Sequence, residues 1–252
     1  MPVYFRQPTE KGMCLVMEKN YIDVLNEILK DETKIVDLSY TMEENMPVWP
    51  THARYGSDVY ESWDYGDAAI HSRITLGEHT GTHIDAPKHF IKGGTPIDEL
   101  DVKRLMGRGV MIDATNIAPR AVLPLEQIKD FEQKNGEIRK GDIILIRFGW
   151  DDKYALQPNG AAFLNDWPGL SKEAAEYFVE KEVSAVGCDA LALDAFGCDV
   201  NVSHVALLGH GIPILENLTN LSKLPVFSYV IGLPNKFKGG SGSPIRMIAF
   251  IA

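Results

Sequence analysis

No stretch of this sequence stays apolar for the roughly 20 residues that a membrane-spanning helix needs. The short run Met13-Cys14-Leu15-Val16-Met17 is too brief for a secretory signal core and is followed by Glu18 and Lys19, so the cytoplasm is the expected compartment. Cysteine is scarce. Three residues (Cys14, Cys188 and Cys198) cannot all pair, and none forms a Cys-x-x-Cys unit. Small buried apolar use is expected of Cys188 and Cys198 rather than nucleophilic chemistry. Positive charge is in deficit too. The 25 Lys and Arg face 35 Asp and Glu, a formal charge of -10 with no basic block to offset it, which argues against nucleic acid and anionic membranes as partners. There is no internal repeat, low-complexity tract or linker. With 252 residues, 45% of them hydrophobic, the chain can bury a full core as a single α/β domain.

What is present is concentrated in His79-Thr80-Gly81-Thr82-His83-Ile84-Asp85-Ala86-Pro87-Lys88-His89-Phe90. Two imidazoles and a carboxylate are a common ligand set for a catalytic divalent ion, and His89 is left over to move protons. His79 and His83 have the spacing of a helical pair, but Thr-Gly-Thr and Pro87 are poor helix material. Ile70, Ser72, Ile74 and Leu76 alternate with His71, Arg73, Thr75 and Gly77, which predicts a strand leading into the motif. Four residues of extended strand would separate the two histidines by roughly 13 Å, so the chain is expected to bend at Gly81, where no Cβ opposes it. The bland alternative is a polar loop with exposed histidines.

These residues resemble the His-x-Gly-Thr-His-x-Asp-x-Pro-x-His-Phe signature of the cyclase family of metal-dependent hydrolases, which includes bacterial kynurenine formamidases and is similar to isatin hydrolases. The resemblance implies that His79, His83 and Asp85 are metal ligands and His89 the catalytic acid/base. It matches His204 and Glu216, twelve residues apart, to the ligands of a second ion bridged by Asp85. Met46 to Pro50 match a third element whose tryptophan, here Trp49, lines the substrate pocket; Phe90 is expected beside it. Glu216 also stands out by itself, because an unpaired carboxylate inside the apolar run Ile212 to Leu218 would cost several kcal/mol to bury.

The resemblance covers about Ile35 to the C-terminus. Residues 1–34 read as an extension with one amphipathic helix, its apolar stripe formed by Ile22, Leu25, Ile28 and Leu29. Residues 35–252 read as the hydrolase domain, an α/β fold with a mixed central β-sheet and packed helices, of the swivelling β/α kind the family implies. Strands are predicted at Lys34 to Leu38, Gly109 to Ala114, Asp142 to Phe148, Ala185 to Cys188, Phe227 to Leu233 and Ile245 to Ile251. Helices are predicted after Pro124 and after Ser171, with an irregular loop over 46–66. The segment Gly187 to Asp194 is only a loose relative of the formamidase version.

Other candidates read as ordinary. The loop Gly239-Gly240-Ser241-Gly242-Ser243 lacks a phosphate-binding ending and suits a hairpin or site edge. Asp98, Glu99 and Asp101 suit a solvated turn and cap. His52 and His71 read as ordinary residues, and His210 as a residue at the site rim.

The expected activity is hydrolysis of an amide-type C–N bond in a small aromatic substrate, as in the arylformamidases of kynurenine metabolism and tryptophan catabolism. It would use water activated by Zn²⁺ or Mn²⁺, one or two ions per chain. The alternatives are a cyclic amide or lactone hydrolase of the isatin hydrolase kind and, in another class, a non-catalytic metal-binding protein. The resemblance also implies a homo-oligomer, dimer or tetramer.

Overall fold

The computed structural model describes residues 3–7, 15–19, 21–31 and 34–251. Strands β1 (Val3–Gln7) and β2 (Leu15–Lys19) form an antiparallel hairpin, followed by helix α1 (Tyr21–Leu29). The expected N-terminal helix is thus present, with a hairpin before it. Ile22 and Leu29 are 69% and 55% exposed, so the chain leaves these two residues of the stripe uncovered.

Next come β3 (Ile35–Asp37), β4 (Gly56–Glu61), β5 (His71–Thr75), β6 (His83–Asp85) and β7 (Met106–Asp113). The short β8 (Val122–Leu123) leads to α2 (Leu125–Asn135), with Pro124 before its first turn and Gly136 after its last, as the sequence predicts. Strand β9 (Ile143–Arg147) and the short β10 (Gly169–Leu170) precede α3 (Lys172–Glu180). The Ser171 side chain caps α3 by accepting from the Ala174 N–H. After β11 (Ala185–Cys188) come α4 (Val202–Gly209), β12 (Ile214–Glu216), β13 (Phe227–Pro234) and β14 (Gly242–Phe250).

The mixed sheet does not stay open. Its order is β13-β7-β9-β11-β12-β6-β14-β3, and β13 also pairs with β14. Seven strands therefore close into a barrel, with β3 hung on β14 outside the ring. Strands β7, β9, β11 and β12 run parallel, while β6, β13 and β14 pair antiparallel with their neighbours. Closure leaves a barrel without open edges.

Strand β9 explains why its sequence is continuously apolar. Ile144 and Ile146 join a cluster containing Ile128 of α2, Ala174 and Phe178 of α3 and Leu207 of α4. Ile143 and Leu145 join a second cluster with Ile84, Leu215 and Met247, which draws nothing from α2, α3 or α4. One side of the strand packs under the helices and the other fills the barrel, so neither side calls for a polar residue.

Strands β4 and β5 form a separate antiparallel ribbon. The alternation over Ile70 to Leu76 marks a strand but not a buried face: every residue of β5 is exposed, and Ile74 is 57% exposed. The stretch read as irregular loop over 46–66 contains the partner strand β4.

Candidate metal centre and substrate pocket

Strand β6 sits between β12 and β14, with Glu216 opposite His83 and Gly242 opposite Asp85. Side chains alternate along a strand, so His83 and Asp85 share one face while Ile84 enters the barrel core. His79 is brought back toward them by the bend at Gly81, whose φ is +62°. The His79 and His83 rings lie 5.2 Å apart, and the predicted bend accounts for it. Strand β14 must pass close: a Cβ on Gly242 would lie 2.6 Å from His79 Cε1.

Helix α4 carries His204 in its first turn, and the carboxylate of Asp194 receives it. Asp194 accepts the backbone N–H groups of Ser203 and His204 and contacts His204 Nδ1 at 2.6 Å. That bond leaves His204 Nε2 facing the centre, 3.1 Å from Glu216 Oε1 and 3.4 Å from Asp85 Oδ2. His83 is oriented in the same way. Its Nδ1 donates to the Gly81 carbonyl oxygen at 2.8 Å, and its Nε2 lies 3.5 Å from both Asp85 Oδ1 and Glu216 Oε2. Fixing one imidazole nitrogen so that the other presents a lone pair is how proteins orient metal-binding histidines.

Two ligand triads emerge that share Asp85: His83, Asp85 and Glu216, and His79, Asp85 and His89. All the predicted site residues of the motif and the second cluster therefore converge. His79 Nδ1 lies 2.6 Å from Asp85 Oδ1, and its Nε2 lies 2.9 Å from Ser241 Oγ, which donates in turn to Glu78. The glycine-rich loop is a site edge. His89 stacks on His79 with ring centres 3.9 Å apart, and its Nε2 is 4.0 Å from Asp85 Oδ2.

The electrostatics fit a cation. Burial opposes ionisation of Asp85, yet the His204 and His79 side chains hold its carboxyl well below the usual range. Burial likewise disfavours charge on His83 and His204, but Glu216 and Asp85 beside His83, and Asp194, Asp85 and Glu216 around His204, raise both imidazoles. Protons on histidine thus balance buried carboxylates where a divalent ion could do so. Asp85 Oδ2 is buried without a hydrogen-bond partner, an expensive state that a coordinated ion relieves. The donor set of imidazole nitrogens and carboxylate oxygens suits a divalent transition metal. His89 behaves differently: burial, with the neighbouring His79, lowers its pKa and favours the neutral ring.

Above the cluster lies a cavity of about 230 Å³. Trp49 and Phe90 line it as expected, with Leu191 and Ala192 adding apolar wall. The Phe90 ring is 4.7 Å from that of His204. His52, an exposed residue, also lines this cavity, its ring 6.0 Å from that of His79. His210 moves the other way. It is exposed at the end of α4, bonded to the Ala206 carbonyl, and absent from the cavity wall. His71 lies on the ribbon beside Glu61, as an ordinary residue would. Asp101 caps a short turn, and Asp98 receives the Gly239 N–H. Cys188 is buried, its thiol pushed well up by that burial, and Cys198 is partly buried. Cys14 lies outside the described residues.

Asp194 was missed at the sequence level. Its signal was the one that marked Glu216, a carboxylate among apolar neighbours in Leu191-Ala192-Leu193-Asp194.

Residues 36–195 match the family model described as putative cyclase. The chain belongs to the cyclase family. It is 32% identical over 245 residues to isatin hydrolase of Roseibium aggregatum, covering 89% of each chain. It is 28% identical over 214 residues to kynurenine formamidase of Bacillus cereus, covering 84% of this chain and 95% of the relative. Its fold matches the structure of isatin hydrolase A from Labrenzia aggregata bound to benzyl benzoate, with a TM-score of 0.84 at 28% identity, over 92% of this chain and 99% of that one. Kinship and cluster together place the cyclase-family chain among metal-dependent hydrolases. No helix among the described residues is long and apolar enough to cross a membrane.

Proposed function

We propose that this cyclase-family protein hydrolyses an amide-type C–N bond in a small aromatic substrate, with His79, His83, Asp85, His204 and Glu216 as metal ligands and His89 as acid/base. The observation that carries this reading is the convergence of four histidines and two carboxylates on the floor of one small aromatic-walled cavity. His79, His83 and Asp85 would hold one ion and Asp85, His204 and Glu216 a second, Zn²⁺ or Mn²⁺, because Asp85 lies beside all three imidazoles. When bound, a divalent ion supplies Lewis acidity, acidifying a coordinated water and polarising the scissile carbonyl.

The chain's own residues do the rest. Asp194 and the Gly81 carbonyl hold His204 and His83 so that each offers Nε2 inward. His89, lowered in pKa and partly open to the cavity, accepts the proton of the attacking water and returns it to the leaving nitrogen. Trp49 and Phe90 flank a planar ring and keep water from it. At about 230 Å³ the cavity falls below the roughly 300–1,000 Å³ usual for drug-sized ligands, which favours a one- or two-ring substrate.

Within this reading, an open formamide of the arylformamidase kind and a cyclic amide of the isatin kind are the two substrate forms. The likeness to isatin hydrolases, spanning nearly their whole length, favours the cyclic form. A non-catalytic metal-binding protein is disfavoured by His89, since storage needs no proton carrier. The test is metal analysis of the purified protein, followed by assays of N-formylkynurenine, isatin and a simple lactone before and after chelation. Metal-dependent turnover of either amide supports the proposal. Stoichiometric metal with no turnover of any of them overturns it in favour of storage. The homo-oligomer belongs to the same proposal, because Ile22 and Leu29 of α1 lie uncovered. Light scattering of the full chain and of a chain lacking residues 1–31 tests it. A smaller assembly after truncation supports a contact through α1, whereas an unchanged assembly places that contact elsewhere.

A further inference from the structure

We infer that His52 is a substrate-binding residue, the polar contact that recognises a hydrogen-bonding group beside the scissile amide. This inference rests on the amide hydrolase reading of the site. Three polar side chains line the cavity outside the metal cluster, His52, Asn201 and Asn217, and Asn217 is engaged, donating to the Gly81 carbonyl oxygen. The position of His52 is set by its backbone, because its N–H donates to the Trp49 carbonyl oxygen at 2.9 Å and closes a tight turn. That turn holds the His52 ring 6.3 Å from the Trp49 ring and 6.0 Å from the His79 ring. The imidazole therefore stands between the aromatic wall, where a substrate ring would lie, and the metal floor, where its carbonyl would react.

Among the described residues, neither ring nitrogen of His52 has a hydrogen-bond partner. The other cavity histidines are engaged: His79 with Asp85 and Ser241, His83 with Gly81, and His204 with Asp194. His52 is thus free to donate through one nitrogen and accept through the other. A ring nitrogen free to donate suits a carbonyl placed next to the amide, as in an ortho-acyl anilide or a cyclic ketoamide.

The test compares His52→Phe and His52→Gln with the wild-type metalloenzyme on two substrates, 2-formamidoacetophenone and formanilide, or, where only cyclic amides are hydrolysed, isatin and oxindole in their place. Comparing variants on each substrate cancels the substrates' intrinsic reactivities. The expected result for His52→Phe is a loss of about fivefold to tenfold in kcat/KM on the ortho-acyl substrate, the size of one neutral hydrogen bond, and less than about twofold on formanilide. His52→Gln, which keeps a donor, should recover part of the loss. Metal content should not change in either variant. Equal losses on the two substrates would make His52 a mere wall, and no loss on either would remove it from recognition. A fall in bound metal would assign it to the support of His79. Each of those outcomes overturns the inference. Wild-type protein that turns over neither formanilide nor 2-formamidoacetophenone, nor the amides of the preceding panel, would instead sink the amide hydrolase reading, and this inference with it.

Discussion

Two of the molecule's histidine–carboxylate pairs have similar geometry in opposite surroundings. His71 and Glu61 face each other across the β4–β5 ribbon, with side chains 56% and 44% exposed. His204 and Asp194 meet beneath α4, with side chains 4% and 3% exposed. On the ribbon, water solvates both groups with or without the contact, so the pair contributes about 0–1 kcal/mol. Beneath α4, losing either partner strands a desolvated group, which costs about 3–5 kcal/mol. Such a pair persists where it orients something. His204 Nε2 aimed at Asp85 and Glu216 is what the buried pair orients, while the exposed pair faces solvent. Geometry alone does not separate structure from function here. Burial does.

His89 occupies a third condition and tests the comparison most severely. It is partly buried and stacked on His79, yet no carboxylate oxygen approaches closer than 4.0 Å to fix its ring nitrogens. An unclamped, neutral imidazole is suited to moving protons rather than holding an ion. His89→Ala is expected to lower kcat by about 10²–10⁴-fold while metal content stays near one full complement. Loss of metal in that variant, measured by elemental analysis, would make His89 a ligand of the His79–Asp85 triad.

The next largest effect is expected at Asp194. Asp194→Asn keeps its size but weakens the hold on His204 Nδ1, so metal affinity should fall by about 10–100-fold without disturbing the barrel. Competition with a fluorescent chelator would measure this. An unchanged affinity would mean that His204 is held by α4 alone, and the contrast between the two pairs would lose its functional side.

Acidity provides a subtler probe. In the ion-free site His83 and His204 are raised above the ordinary histidine value by their carboxylates, which favours their protonated forms. A metal ligand must offer an unprotonated nitrogen, so binding must expel those protons. Affinity should therefore rise with pH, by about tenfold per unit for each proton released, until the raised values are passed. Calorimetry in buffers of different ionisation heat would count the protons. A count of zero would contradict the protonated ion-free cluster.

The sequence and the structure agree best where local rules suffice. Gly81 had to bend the chain, Ile84 had to face away from His83 and Asp85, and Ser171 and Gly136 bound their helices as propensity requires. Closure of the barrel was illegible because it depends on β13 meeting β14 and on a three-residue strand, β6, too short to show a period. Helix α4 was missed for a related reason. Its eight residues are apolar even where they are exposed, as at Val205, so they carry no amphipathic signal. The β4–β5 ribbon misled in the other direction, because alternation predicts a strand but cannot say whether a core lies beneath it. Asp194 and His52 lie outside the compact motif, and only the fold brings them to it.

The smallest effect is expected on the ribbon, and it completes the matched pair of substitutions. Glu61→Gln makes at the exposed site the same carboxylate-to-amide change that Asp194→Asn makes at the buried one. Glu61 stays hydrated in either form, and its partner His71 is more than half exposed. Thermal unfolding should therefore shift by no more than the roughly 0–1 kcal/mol that surface pairs contribute, with metal affinity and turnover at wild-type values. The neighbouring Asp58–Arg73 pair, exposed by 68% and 73%, should tolerate Asp58→Asn in the same way. A large loss of stability from either change would mean that the ribbon is covered in solution, by another copy of the chain, and that its burial in a single chain understates its role. Loss of activity at unchanged stability would mean that the ribbon reaches a catalytic cavity in the assembly, and the line drawn between the two pairs would have to move.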